Sequence, residues 1–194
     1  MSLRQPFVLE SSHEETSHLE GVSIRQVPGA GADMSIYLDI ETEWNGRITV
    51  VGFFHETTGL VQLYGEDVTR DRFLEELPED ASRIFTYNGH SFDMPCIHNQ
   101  LAVDLRMRYQ SHDLRWICQR NGLTGGLKGV ERRVGITRRL EDIDGREAVR
   151  LWQRYLEGDE EALRVLLIYN EEDVMNLVEL RGYLEREDLF DADD

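Results

Sequence analysis

The clearest structural signal in the sequence lies at residues 34–42, Met-Ser-Ile-Tyr-Leu-Asp-Ile-Glu-Thr. Apolar side chains at positions 36, 38 and 40 alternate with their neighbours, which is the period-two pattern of a strand with one face in the core. Asp39 and Glu41 are two positions apart and therefore project from the opposite face together. The stretch predicts a strand that combines a core face with a pair of carboxylates.

Further elements follow this strand in an order that indicates an α/β fold. Asn45-Gly46 predicts a hairpin turn, and strands at 48–54 and 60–64 would complete an antiparallel three-strand meander. Additional strands are predicted at 83–87 and near 110–114, and helices at 70–77, 93–103, 114–120, 127–134, 148–156 and 160–185. A meander followed by alternating strands and helices indicates a mixed central sheet, with parallel strands added to the meander and helices on its faces.

The chain of 194 residues has the length of one domain. Residues 1–33 are predicted to form an irregular N-terminal extension with one short strand around 22–27, residues 34–187 the domain, and residues 188–194 an acidic, frayed tail. No apolar run approaches the roughly 18 residues that span a membrane, and no signal peptide is visible. Two cysteines outside any C-x-x-C pair favour a reducing, cytoplasmic location.

The charge distribution is uneven. The net charge of −17 argues against tight, metal-free binding to a phosphate backbone. Between Arg106 and Arg154, however, 12 basic residues stand against six acidic ones, a net charge of +6 for that segment. The sequence therefore predicts a basic patch on an acidic body.

Asp39 and Glu41 gain weight from two other acidic positions. A lone pair of carboxylates on a strand is more often a solvated edge, although such a pair also suits Mg²⁺ or Mn²⁺. Asp93 follows the strand end and turn Tyr-Asn-Gly-His-Ser-Phe (87–92) and begins a helix, where it could also serve as an N-cap. Tyr169 and Asp173 lie four residues apart and hence on one helix face, with an exposed surface acid as the alternative for Asp173.

These motifs resemble those of DEDD-type 3′–5′ exonucleases of the tyrosine-bearing subclass. The pattern consists of Asp-Ile-Glu-Thr at 39–42, Tyr-Asn-Gly-x-Ser-Phe-Asp-x-Pro at 87–95 and Tyr-x-x-x-Asp at 169–173. Similar motifs occur in the proofreading domains of family B DNA polymerases. Ser-His-Asp-Leu at 111–114, Leu-Lys-Gly-Val-Glu at 127–131, Val-Gly-Ile at 134–136, Asp-Gly at 144–145 and Leu-Trp at 151–152 are similar to the predicted YprB-like ribonuclease-H-like domain family. The resemblance covers about residues 34–182.

The resemblance implies an RNase H-like fold and a mechanism that uses two divalent metal ions, Mg²⁺ or Mn²⁺. Asp39 would bridge both ions, and Glu41 and Asp173 would hold the ion that carries the attacking water. Asp93 would serve the second ion, largely through water, and Tyr169 would orient the nucleophilic water. Two such cations, about 3.5–4 Å apart, stabilise the attacking and leaving oxygens of an in-line displacement.

Other residues are candidates for contacts with the nucleic acid. Asn88 could hydrogen-bond the terminal nucleotide or its scissile phosphate, with a turn residue as the alternative. Phe92, like Trp116 and Trp152, is predicted to fill the core, but it could also stack on a base. Phosphate contacts are predicted for five basic residues after position 127, namely Lys128, Arg132, Arg133, Arg138 and Arg139. The alternative is that these residues form an exposed, partly ion-paired helix face. His112 and Asp113 could form a dyad, but Asp113 is the better candidate for the cap of the helix at 114–120.

The sequence thus predicts a metal-dependent 3′–5′ exonuclease that acts on single-stranded or frayed ends of DNA or RNA. One alternative is an RNase H-type or structure-selective endonuclease. Another is a non-catalytic nucleic-acid-binding or scaffold domain of the same fold. A helicase or a polymerase is a candidate partner of the protein. No association with a membrane is expected.

Overall fold

Five strands form one mixed sheet. The computed structural model describes residues 34–190, with strands β1 (Ser35–Thr42), β2 (Ile48–His55), β3 (Gly59–Tyr64), β4 (Arg83–Thr86) and β5 (Gln110–Asp113). The strand order is β3-β2-β1-β4-β5, and β1 to β3 are antiparallel, whereas β4 pairs parallel with both β1 and β5. The predicted meander, parallel strands and mixed α/β architecture are confirmed. The predictions for residues 1–33 and 191–194 lie outside the described residues.

The helices flank this sheet. In the described part of the chain they are α1 (Arg70–Glu76), α2 (Asp93–Leu101), α3 (Leu114–Arg120), α4 (Leu127–Val134), α5 (Gly145–Leu156) and α6 (Glu160–Arg186). Helix α5 begins three residues before the predicted start because the Asp144 side chain accepts the N–H groups of Arg146 and Glu147 and so caps the helix. None of the helices within residues 34–190 has both the length and the apolar character to cross a membrane.

The two faces of β1 belong to different parts of the core. Ile36, Leu38 and Ile40 are buried in a cluster with residues of α1 and α2, whereas Tyr37 packs in a second cluster with residues of α6 such as Val174. Since side chains alternate along a strand, Asp39 and Glu41 share the face of Tyr37. Helix α6 therefore covers the face of the sheet that carries the two carboxylates.

The end of the described chain departs from the prediction. Leu189 and Phe190 pack against the second cluster, and the Phe190 ring lies 5.9 Å from that of Phe85 between centroids. The prediction of a frayed tail is therefore wrong for Leu189 and Phe190, because these two apolar side chains of the acidic segment are partly buried against the core.

The three aromatic residues predicted for the core divide between core and surface. Trp152 is buried as predicted, but Phe92 is 42% and Trp116 49% exposed, so the core prediction is wrong for both. Phe92 occupies the turn just before α2. Trp116 lies on the outer side of α3, whose inward side chains are Leu114, Ile117 and Cys118.

Candidate active site

Helix α6 brings a third carboxylate to the pair on β1. Asp39, Glu41 and Asp173 each offer one oxygen atom, and these oxygens lie within 4.8 Å of one another. The Glu41 and Asp173 residues are only 8% and 7% exposed. Three sequence-predicted metal ligands are therefore together, and the alternatives of a solvated strand edge and an exposed surface acid are wrong.

Asp93 lies beside this group at the edge where β4 ends. Beyond Tyr37, β1 has no paired residue on β4, and the Asp93 carboxylate accepts the N–H of Ile40 instead, at 3.2 Å. The N-cap position of α2 belongs to Phe92 and has no side-chain cap bond. Asp93 is therefore not an N-cap but a buried carboxylate that continues the hydrogen bonding of β1.

Burial and mutual repulsion make these carboxylates costly to ionise. Burial raises the pKa of Asp39 to about 7, although a hydrogen bond from Asn170 and the charge of Arg138 act in the opposite direction. The pKa values of Glu41 and Asp93 are also raised, first by burial and then by neighbouring carboxylates. A divalent cation would remove this cost, and an all-oxygen donor set suits Mg²⁺ or Mn²⁺.

Asn170 fixes the orientation of Asp39. Its amide nitrogen donates to the Asp39 carboxylate at 3.0 Å, and its own oxygen accepts from Gln62 Nε2 at 2.9 Å. Asn170 is fully buried, and Gly52 on β2, which pairs with Asp39, leaves the space that the amide fills. A chain of polar contacts thus runs from β3 through α6 to the central strand.

Tyr169 lies one helical turn before Asp173 on α6. Its ring is flanked by two cations, with Lys128 Nζ 5.2 Å and Arg138 Cζ 5.5 Å from the ring centroid. Burial, followed by the charges of Glu41 and Asp39, raises the pKa of the phenol above its ordinary value of 10. At neutral pH the side chain is therefore an uncharged hydroxyl that can both donate and accept a hydrogen bond.

The basic residues near α4 fall into three different environments. Arg138 donates to Asp173 and lies 3.5 Å from Glu131. Lys128 Nζ contacts backbone carbonyl oxygens of residues 140, 141 and 143, whereas Arg132 is exposed. Of the basic residues for which phosphate contacts are predicted, Arg132 is thus accessible, while Lys128 and Arg138 are engaged within the protein.

The turn that leads to Asp93 is supported by Asp113. The Asp113 carboxylate accepts N–H groups from Asn88 at 2.7 Å and His90 at 3.1 Å, and it also caps α3 through the N–H of Arg115. The predicted cap is confirmed. His112 stacks instead on Phe85, with 4.9 Å between ring centroids, so the two side chains serve separate parts of the structure.

Asn88 borders a cavity next to this turn. Its backbone has a φ of 69°, and its side-chain oxygen accepts from Arg115. The cavity has a volume of about 310 Å³ and is lined by Tyr87, Asn88, Arg115, Gln119, Gly125, Gly126 and Leu127. Asn88 thus lines this cavity, whereas the exposed Phe92 lies at the end of the turn, next to Asp93 in the sequence.

Sequence reasoning missed three residues that shape the site: Gln62, Glu131 and Asn170. Asn170 stands inside the Tyr-x-x-x-Asp motif, and an asparagine in a helix interior is unfavourable enough to indicate a specific role. Gln62 reaches the site only through the fold, and no local pattern distinguishes it from a surface residue. Glu131 stands in the Leu-Lys-Gly-Val-Glu motif at 127–131, but the resemblance assigns it no role.

Comparison with known proteins agrees with this architecture. No curated protein sequence is significantly similar to the chain. A family B DNA polymerase from the hyperthermophilic archaeon Pyrobaculum calidifontis has a similar structure, with a TM-score of 0.62 at 19% sequence identity. The match covers 77% of this chain and only 24% of the polymerase chain, so the likeness is one of fold.

A match to a sequence model of a protein family shows which family the chain belongs to. The model of the RNase H superfamily matches residues 36–185, which include every carboxylate of the site, from β1 to the last turns of α6. Divalent metal ions are the cofactors of nucleases in this superfamily, and the acidic group between β1 and α6 suits them. The sheet, the position of α6 and the family match lead to one conclusion: this chain belongs to the RNase H superfamily.

Proposed function

We propose that the protein is a metal-dependent 3′–5′ exonuclease that hydrolyses the terminal phosphodiester bond of a nucleic acid strand. The observation that carries this proposal is the convergence of oxygens from Asp39, Glu41 and Asp173 within 4.8 Å, between β1 and α6. The electrostatic contact of Asp93 and Tyr169 with these carboxylates supports the tyrosine-bearing DEDD pattern as part of the proposal. Similarity to the YprB-like family is part of the same proposal.

Two divalent ions, Mg²⁺ or Mn²⁺, would supply Lewis-acid stabilisation of the charge that develops on the phosphate. Asp39, Glu41 and Asp173 would hold one ion. Asp39 and Asp93 would hold the second. Because the pKa values of these acids are raised, ion binding would release protons from the site. The ions would also neutralise the site locally, which allows a chain of net charge −17 to hold a polyanion.

Tyr169 would orient the water that attacks the phosphorus. Its raised pKa keeps the hydroxyl protonated at neutral pH, so the group acts through hydrogen bonds and leaves proton abstraction to other groups. Asn88 and Phe92, together with the cavity beside Arg115, would receive the terminal nucleotides. An exposed aromatic ring next to a single-strand path can stack on a base.

The test uses 5′-labelled single-stranded DNA and RNA oligonucleotides incubated with the full chain and Mn²⁺. A ladder that shortens from the 3′ end is expected, with loss of activity in EDTA. Asp39→Ala and Asp173→Ala should each reduce the rate at least about a hundredfold. Glu171→Ala is the matched control, because this half-exposed acid lies on α6 beside the site and pairs with Arg139.

Each contrary result has a separate meaning. Hydrolysis that persists in both Asp variants would contradict the assignment of the site. Cleavage of a circular substrate would indicate the endonuclease alternative. Mn²⁺ binding without any hydrolysis would favour a nucleic-acid-binding module, or an enzyme that requires a helicase or polymerase partner.

A further inference from the structure

Arg138 is a buried cation between two acidic groups. Its side chain is 5% exposed, it donates to the Asp173 carboxylate, and it lies 3.5 Å from Glu131, which is 1% exposed. The buried Nε and Nη1 of Arg138 and Oε2 of Glu131 have no hydrogen-bond partner. Glu131 itself is held by Asn176, which donates to its other oxygen at 2.9 Å. The guanidinium therefore bonds one carboxylate and has a second within reach.

The backbone around Arg138 is held independently of its guanidinium. The buried Glu172 carboxylate on α6 accepts the backbone N–H of Arg139 at 2.5 Å and that of Leu140 at 3.1 Å. Lys128 binds carbonyl oxygens later in the same loop. The loop therefore keeps Arg138 over Asp173 whichever carboxylate the guanidinium contacts.

The contact between Arg138 and Asp173 conflicts with metal binding. Asp173 is one of the three carboxylates that converge on the candidate metal position. An oxygen that accepts from a guanidinium is less available to a cation, and the positive charge of the arginine repels that cation. The charge of Arg138 also acts on Asp39 and Glu41, whose pKa values it lowers.

We propose that Arg138 is an internal counterion that neutralises Asp173 while the site holds no metal and moves to Glu131 when a divalent ion binds. The inference rests on the proposed metal site and adds a regulatory step to it. Arg138 thereby stabilises the metal-free protein and lowers its affinity for the ion. Glu131 provides the second position, since its free oxygen lies 3.5 Å from Arg138 Nη1.

Calorimetric titration of the full chain with Mn²⁺ tests this step without any measurement of activity. Arg138→Gln should bind Mn²⁺ about tenfold more tightly, because a competing unit charge a few ångströms away is removed. Arg139→Gln is the matched control: it removes the same charge from the next residue, which is 63% exposed and pairs with Glu171 and Glu172. Its affinity should stay within about twofold, because exposed charges are screened.

Glu131→Gln provides the opposite test and keeps the oxygen that accepts from Asn176. Without a second carboxylate, Arg138 stays on Asp173, and Mn²⁺ should bind several-fold more weakly. Equal or weaker binding in Arg138→Gln would overturn the inference while leaving the metal site intact. Absence of Mn²⁺ binding in both the wild type and Arg138→Gln would overturn the proposed function as well.

Thermal melting separates a counterion from a purely structural ion pair. Arg138→Gln should melt below the wild type in EDTA, and the difference should be smaller in saturating Mn²⁺, because the bound ion then neutralises Asp173 and only Glu131 is left without its cation. An equal loss in both conditions would contradict the inference. If Arg138→Gln does not fold in EDTA, the double variant Glu131→Gln/Arg138→Gln removes the unpaired Glu131 charge. Its melting temperature, compared with that of the wild type in EDTA and in Mn²⁺, then tests the inference in the same way.

Discussion

Asp39 owes its position to a side chain that lies 131 residues later in the sequence. Asn170 bonds its carboxylate, and Gln62 bonds Asn170. The three side chains come from β1, β3 and α6, and the backbone of Gly52 closes the space around them. A Cβ atom on Gly52 would lie 2.0 Å from Asn170 Oδ1, so this position requires glycine.

Gly52→Ala should therefore weaken both the fold and the metal site. Displacement of Asn170 costs about 1–3 kcal/mol in the free energy of unfolding, and Asp39 loses the hydrogen bond that lowers its pKa. Urea denaturation and Mn²⁺ titration measure the two effects. Gly129→Ala on α4 is the control, because nothing lies within 4 Å of its added Cβ, and we expect equal or slightly higher stability. A Gly52→Ala protein as stable as the wild type would contradict this account.

At this scale the sequence predicts the charged residues of the site better than their supports. Asp39, Glu41, Asp93 and Asp173 are recognisable because the motifs that contain them, taken together, resemble those of DEDD-type exonucleases. The contact of Arg138 with Asp173 is not predictable in the same way. Its sequence neighbours suggest a basic surface, and only the path of the loop after α4 turns the side chain inward.

Among the elements, the turn between β4 and α2 depends most on a single residue. The buried Asp113 carboxylate accepts three backbone N–H groups, two from the turn and one from α3. It thereby joins the end of β5 to the segment that carries Asp93.

Asp113→Ala should cost roughly 2–4 kcal/mol, since a helix cap is lost and two further N–H groups lose their acceptor. Hydrogen exchange should show faster opening of residues 88–92. The proposed nuclease activity should fall, because Asp93 follows this turn. Asp104 caps the short 3-10 helix Leu105–Met107 and accepts only one N–H group, that of Arg106. Asp104→Ala should therefore cost less than about 1 kcal/mol. Equal losses in the two variants would contradict the special role of Asp113.

The strands and helices themselves are largely predictable, and the differences have local causes. Apolar periodicity locates α6 and the meander, and α1 ends at Glu76, just before the Leu77-Pro78 pair, because a residue that precedes proline disfavours helical backbone. The early start of α5 is set by the Asp144 cap, whose effect apolar spacing does not record. The exposure of Trp116 depends on which side of α3 faces the sheet, and a helix of seven residues has too few positions to define that side from the sequence.

For the whole molecule, the buried acids couple stability to pH. Burial raises the pKa values of Asp39, Glu41, Asp93 and Glu131. The folded chain therefore retains protons that the unfolded chain releases above about pH 4. Stability that is present at low pH is lost as the pH rises through the folded-state values.

The metal-free protein should accordingly become less stable between about pH 4 and pH 7, the window in which Asp39 titrates in the unfolded and then the folded state. Asp39 alone accounts for at most about 4 kcal/mol of this loss. Melting in EDTA at pH 5 and pH 8 measures the change, and Mn²⁺ at pH 8 should reverse it. Asp39→Asn should show a smaller pH dependence. A flat profile in the wild type would mean that these acids are ionised without a metal.

The position of α6 at the far end of the domain has a consequence for biosynthesis. On the ribosome, the strand with Asp39 and Glu41 and the turn before Asp93 emerge long before the helix with Asp173. A nascent chain that has folded only as far as α5 holds two parts of the metal site without the third. The proposed enzyme would therefore remain unable to cleave any nucleic acid until synthesis has passed α6 and released that helix from the exit tunnel.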